Sequence, residues 1–81
     1  MKYYANFDAN NGTHYGTPIT GTNKKELIKD IRSIAEAERF AGNECCWCVY
    51  IKDSDGDSVS VARGGMVSNG CRWRDNTREI L

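Results

Sequence analysis

The sequence predicts a two-layer α+β fold, in which one helix packs on one face of a mainly antiparallel sheet of four to five strands in ββαββ order. Three patterns predict it: a period-two alternation in residues 2–8, a helical apolar stripe in residues 24–41, and a hairpin pattern in residues 45–63. A chain of 81 residues can bury about one helix layer against one sheet layer. We therefore expect a single domain over residues 1–81.

The first two predicted strands precede the helix. In residues 2–8, Tyr3, Ala5 and Phe7 alternate with polar side chains, which is typical of a half-buried strand. The Asn-Asn-Gly run that ends at Gly12 tolerates a chain reversal, so a second strand is expected in residues 13–20. Pro18 cannot donate a ladder hydrogen bond, and this places the second strand at an edge of the sheet.

The helix is predicted over residues 24–41. Asn23 followed by Glu26 forms a capping-box pattern at its start, with Thr22 as a competing cap. Gly42 suits the left-handed position that ends a helix. The apolar stripe that would face the sheet consists of Leu27, Ile28, Ile31, Ile34 and Ala35.

The second half of the chain predicts a hairpin and a short final strand. Trp47, Val49 and Ile51 share one face of a strand over residues 45–52, residues 53–57 form the turn, and residues 58–63 return. The pair Gly64 and Gly65 is expected to end the returning strand. A turn at 68–70 then leads to a last strand over 71–74, and residues 75–81 are expected to fray.

Four cysteines could in principle serve as disulfide partners, metal ligands or core residues. Cys45, Cys46, Cys48 and Cys71 lack the C-x2-C knuckles that zinc sites use. Adjacent Cys45 and Cys46 point to opposite faces of a strand, so few of the thiols can converge. We expect buried, reduced cysteines in a cytoplasmic protein, with no metal site.

Two further motifs do not predict a metal site or a catalytic site. The Asp-rich run at 53–57 has its glycine in fourth place and Gly64 in twelfth, whereas a helix-loop-helix calcium loop needs Gly in sixth place and Glu in twelfth. His14 is the single histidine, and no recognised catalytic group flanks it. The sequence therefore predicts a protein without a cofactor and without enzymatic activity, and a small thiol enzyme remains a minor alternative.

Composition narrows the class of partner. Eleven basic residues balance eleven acidic residues, which disfavours strong non-specific attraction to nucleic acid. Apolar runs are too short to span a bilayer, and residues 1–10 do not resemble a signal peptide. We expect a cytoplasmic protein without a membrane partner.

The candidate binding residues are expected on the sheet face away from the helix. They are aromatic and arginine side chains, which are enriched in protein–protein hot spots and also stack on nucleic-acid bases: Tyr4, Tyr50, Arg63, Arg72 and Arg74. Trp73 alternates with its arginine neighbours and is expected in the core. The leading hypothesis is docking on a protein, and the alternative is a nucleic-acid or nucleotide binder. An uncovered face also permits a two-fold homodimer.

A resemblance supports a binding role. The segments AEAERFAGN at 35–43, WCVY at 47–50, Asp55-Gly56, VARGG at 61–65 and RWR at 72–74 together resemble small proteins of phages and mobile elements of gut-type bacteria. The resemblance implies a stoichiometric inhibitor of host defence, such as an anti-CRISPR protein, or a sponge for signalling nucleotides. No activity is established for that group, so it assigns no functional residue.

Overall fold

The α+β class is confirmed by the computed structural model, which describes residues 1–10, 12, 17–70 and 72–81. The elements in chain order are β1 (Tyr3–Ala9), β2 (Ile19–Gly21), α1 (Lys24–Phe40), β3 (Cys45–Lys52), β4 (Ser58–Ser68), β5 (Trp73–Asp75) and β6 (Arg78–Glu79). The strands form one open sheet in the order β2-β1-β3-β4-β5, with β6 also paired to β4. Every strand pair formed by these described residues is antiparallel. The sheet thus has six strands rather than four or five.

Helix α1 begins and ends where local chemistry favours it. The backbone N–H of Glu26 donates to Oδ1 of Asn23 at 3.1 Å, so Asn23, rather than Thr22, is the N-cap. At the other end Ala41 is the C-cap and Gly42 has φ +84°, in the left-handed region that glycine adopts without strain. The predicted helix is therefore confirmed to within one residue.

The core lies between α1 and one face of the sheet. The buried positions of the helix are Leu27, Ile28, Ile31 and Ala35, which belong to the predicted stripe, and Ile34 packs against them partly buried. They meet the sheet residues Ala5, Phe7, Cys45, Trp47, Val49, Val61, Ala62 and Met66. The opposite face of the sheet contacts no helix, because α1 is the one helix of the described residues.

Strand β2 is a short edge strand. It pairs with β1 through Ile19, Thr20 and Gly21, which confirms the edge position that Pro18 predicted. The predicted strand began at residue 13. Residues 13–16 lie outside the described residues, so the first half of that prediction stays a prediction.

Strand β4 corrects one prediction. It runs through Gly64 and Gly65 without a break and pairs with Cys46 and Trp47 of β3 on the way. A register shift at Val49/Tyr50 adds one residue to β4, and Val61 and Ala62 are consequently both buried.

The C-terminal segment also differs from expectation. β5 begins at Trp73 and pairs with β4, while Cys71, where the predicted strand began, lies outside the described residues. The tail does not fray at Arg78–Glu79, which pairs with β4 as β6. The N–H of Ile80 then donates to the carbonyl of Val61 at 2.8 Å. β5 pairs with Met66, Val67 and Ser68, beyond the predicted end of β4, and the tail then runs antiparallel back along β4 to Ala62 and Arg63.

None of the helices within the described residues is both long and apolar enough to cross a membrane.

Candidate binding face

The sheet face that α1 leaves uncovered is called the open face. Side-chain alternation along the strands and the pairing register define its members. They are Tyr4, Asn6 and Asp8 of β1; Cys46, Cys48, Tyr50 and Lys52 of β3; Ser58, Ser60, Arg63, Gly65 and Val67 of β4; Arg74 of β5; and Arg78 of β6. Lys2 and Thr20 complete the face beside Tyr4.

A stacked tyrosine pair occupies one end of the open face. Tyr4 and Tyr50 are cross-strand partners, and their ring centroids lie 5.2 Å apart with the planes inclined by 14°. The ammonium groups of Lys2 and Lys52 each lie 5.3 Å from the centroid of the Tyr4 ring. Tyr50 is only 9% exposed. The two rings are therefore already engaged with each other and with cations.

The open face is strongly basic although the chain is neutral. Its charged side chains are the cations Lys2, Lys52, Arg63, Arg74 and Arg78 and one carboxylate, Asp8. The three salt bridges of the described residues all lie elsewhere, so none of these five cations is paired with a described carboxylate.

On the helix side, three of the five cations of α1 are paired, and Lys25 and Lys29 are in none of the salt bridges of the described residues. Lys24 pairs with Glu79 at 3.2 Å, and Arg32 pairs with Asp75. A third pair joins Arg39 and Glu36 within the helix. Burial would raise the pKa of Asp75, but hydrogen bonds from Thr77 and the Arg32 guanidinium together hold that pKa below its ordinary value.

A shallow depression of about 720 Å³ lies on the open face and reaches Ser60, the cross-strand partner of Tyr50. Arg63 and Arg78 both line it and are Cα partners on adjacent strands. Its lining contains no Asp or Glu among the described residues. Gly65 also lines it, and the backbone of β3 occupies the space that a Cβ there would need, with the carbonyl oxygen of Cys45 only 2.2 Å away.

The remaining predicted binding residues lie on the β5 edge. Arg72 and Arg74 are exposed, and Trp73 is partly buried against the core, as their alternation predicted. All three line a second depression, which shares only Val67 of the described residues with the depression at Arg63. Of the five predicted binding residues, Tyr4 and Tyr50 stack on each other, Arg63 lines the first depression, and Arg72 and Arg74 line the second at the β5 edge.

Sequence reasoning missed Arg78, Lys2 and Lys52. Arg78 falls in the predicted fraying tail, although its even spacing from Arg72 and Arg74 was a signal that the alternation continues. Lys52 falls on the correct strand face, but its contact with Tyr4 depends on the register between β1 and β3.

The described cysteines are divided between the two faces, so the expected burial is confirmed for Cys45 and is wrong for the exposed Cys46 and the half-buried Cys48. Cys45 is buried in the core, and burial raises the pKa of its thiol. Cys46 and Cys48 lie on the open face, where the Cys48 Sγ is 3.3 Å from the Ser60 Oγ. These three are free thiols in the structure, and Cys71 lies outside the described residues, as does His14.

The acidic run between β3 and β4 forms the hairpin turn. The carboxylates of Asp53, Asp55 and Asp57 are exposed and approach within 4.8 Å of one another. Asp53 accepts the backbone N–H groups of Asp55 and Asp57 at 2.9 Å each, and Gly56 has φ +84°. These hydrogen bonds give the Asp53 side chain a structural role in the turn.

Searches against protein-family models, curated proteins and solved structures find no match for this chain.

Proposed function

We propose that this protein is a non-enzymatic binding protein that docks through its open face on an acidic surface of a partner protein. The observation that carries the proposal is the segregation of charge by face. Five cations share the open face with one carboxylate, whereas the five cations of α1 are accompanied by four carboxylates on the same helix and three of them are in salt bridges. Complementary charge steers association and favours a partner with acidic side chains.

The tyrosine pair favours a protein partner over a nucleic acid. Base stacking needs an aromatic face that is free to receive a base. Here Tyr4 is stacked on Tyr50 and contacted by two lysines, and Tyr50 is almost fully buried. The arginines of the open face also suit a protein interface, where arginine is enriched relative to the rest of a protein surface.

The resemblance to phage and mobile-element proteins favours a bacterial host protein as the partner. A short chain that acts by binding alone would inhibit such a partner stoichiometrically. Host-defence proteins are the class of partner that the resemblance implies.

The proposal is tested with two matched charge-reversal variants. Arg63→Glu/Arg74→Glu inverts the open face, and Lys25→Glu/Lys29→Glu makes the same charge change at exposed positions of α1. A protein captured from a bacterial lysate by wild type is identified, purified, and titrated calorimetrically with all three proteins at two salt concentrations.

We expect wild type and the helix variant to bind with similar affinity, and the open-face variant to lose about a hundredfold or more, because each reversal replaces attraction with repulsion. Equal binding by the open-face variant would overturn the proposal. So would tight, steeply salt-dependent binding of a single-stranded RNA oligonucleotide in place of a protein, which would assign the face to nucleic acid.

A further inference from the structure

The depression on the open face contains two arginines that oppose each other without a counter-charge. Arg63 and Arg78 are direct partners of β4 and β6, and both are exposed. Like charges directly opposite on neighbouring strands repel each other and destabilise the pairing. The nearest residues of β5 and β6 that could neutralise them, Asp75 and Glu79, are paired with the helix residues Arg32 and Lys24.

The surroundings of the two arginines offer hydrogen-bond donors and space. Ser60 and Asn76 line the same depression, and each carries a side-chain hydrogen-bond donor. Its volume of about 720 Å³ falls within the roughly 300–1,000 Å³ that small-ligand sites occupy. No described carboxylate lines the depression, so an anion would meet no repulsion there.

We propose that this depression binds the phosphate group of a small phosphomonoester between Arg63 and Arg78. A guanidinium donates two parallel N–H groups to a phosphate, and two guanidiniums match the charge of a phosphate dianion. The bound dianion would also remove the repulsion between the two arginines. This site goes beyond docking on a protein, and it does not need the acidic partner proposed above.

The test begins with inorganic phosphate as the probe. Wild-type protein is titrated by calorimetry in a phosphate-free buffer, with sodium chloride holding the ionic strength constant. We expect saturable binding of one phosphate and a rise in melting temperature with phosphate that equivalent chloride does not give. Ribose 5-phosphate and a nucleoside 5′-monophosphate then show whether the group attached to the phosphate adds affinity.

Substitutions distinguish a specific phosphate site from general attraction by the positive charge of the open face. Arg63→Ala and Arg78→Ala each remove one donor fork and should weaken phosphate binding about tenfold or more. Arg63→Lys keeps the charge but loses the fork, so it should weaken binding by less. The matched control is Arg74→Ala, which removes an exposed arginine of the same face outside this depression and should change the affinity by less than about threefold.

The protonation state of the probe provides a second readout. Phosphate binding should weaken from about pH 8 to about pH 5.5, because the dianion takes up a proton in this range, whereas sulfate binding should stay constant. Circular dichroism confirms that each variant is folded. Non-saturable binding, an equal loss in Arg74→Ala, or a parallel pH dependence for phosphate and sulfate would each overturn the proposal.

Discussion

Replacing Gly65 with alanine should destabilise the protein strongly, because the backbone of the neighbouring strand occupies the space that the added methyl group needs. The new Cβ would lie 2.2 Å from the carbonyl oxygen of Cys45 and 3.0 Å from the Cα of Cys46, both of which are backbone atoms of β3. The first distance is about 1.2 Å short of the 3.4 Å at which ordinary contact begins. Strands β3 and β4 must therefore separate at the centre of the sheet.

The expected cost follows from what that separation disrupts. Paired strands lie about 4.8 Å apart, so a shift of about 1 Å weakens the ladder hydrogen bonds on both sides of Gly65. Each such bond contributes about 1 kcal/mol, and overpacking adds about 1–3 kcal/mol. We expect Gly65→Ala to lower the free energy of unfolding by about 2–4 kcal/mol, a large part of the 4–12 kcal/mol or so expected for a domain of this size.

Two other glycines provide a graded comparison. In Gly64→Ala the Cβ would lie 2.7 Å from Cζ2 of the buried Trp47 and 2.9 Å from the Cα of Thr77, and the expected loss is about 1–3 kcal/mol. Gly21 is the matched control. Its nearest neighbour would be the Cβ of Leu27 at 3.8 Å, and its φ is not positive. Gly21→Ala should therefore be neutral or stabilise the protein by up to about 1 kcal/mol.

Urea unfolding followed by tryptophan fluorescence measures the free energy of unfolding of all three variants. Melting temperatures then rank their stabilities independently. A loss of 2 kcal/mol corresponds to a fall in melting temperature of roughly 8–16 °C for a domain of this length. If Gly65→Ala melts within about 2 °C of wild type, or if the three variants cannot be told apart, the close approach of β3 and β4 is not as the structure has it.

Three further predictions concern the core, the helix-side ion pair and the β5 edge. Ile31 is fully buried, so Ile31→Ala should cost about 2–5 kcal/mol by urea unfolding, and a melting temperature within a degree or two of wild type would contradict its place in the core. The folded structure lowers the pKa of Asp75, so the ionised carboxylate stabilises the fold. This stabilisation is present above the unfolded-state pKa of about 3.9 and is lost as the pH falls through the lower folded-state pKa. The stability difference between wild type and Asp75→Asn should accordingly be larger at about pH 7 than at about pH 3, and a difference independent of pH would refute this. Arg72→Glu/Arg74→Glu should leave the melting temperature nearly unchanged, because both side chains are exposed, and should weaken partner binding. Trp73→Ala should destabilise the fold by less than the roughly 3–5 kcal/mol typical of a fully buried aromatic residue, and a stable Trp73→Ala that lost binding alone would place the indole on the working surface.

Local signals were enough to predict the helix and the strand that follows it. Asn23 and Gly42 act through hydrogen bonds and backbone angles within a few residues, so the sequence alone located both ends of α1. Strand β3 was predicted over residues 45–52, which are its observed bounds. In both elements the periodicity and the terminal residues favour the same structure.

The glycine pair and the tail could not be predicted in this way, because their explanation is not local. Glycine in a strand interior usually weakens the strand, yet here the indole of Trp47 and the backbone of β3 occupy the space where side chains would stand. With β4 expected to end at Arg63, residues 66–68 offered no partner for β5, and it is β5 that turns the tail back along β4 to Ala62 and Arg63. The packing of Gly64 and Gly65 against β3 is not visible in the local sequence. Both the length of β4 and the placement of Arg78 on the open face depend on it.

The net charge of the chain does not predict the local charge of the open face, because it contains no information on where the charged side chains lie. At physiological salt, charges separated by more than about 8–10 Å are largely screened, so a ligand at Arg63 and Arg78 responds to its own face rather than to the net charge of the chain. The period-two alternation of the strands sends the cations of β3, β4, β5 and β6 to the open face, and the turn aspartates stand at the end of the β3–β4 hairpin. Exposed salt bridges contribute little to stability, so the cations of the open face can remain unpaired at small cost to the fold. A neutral chain can therefore present a basic surface, and its net charge does not disfavour an anionic ligand at this depression.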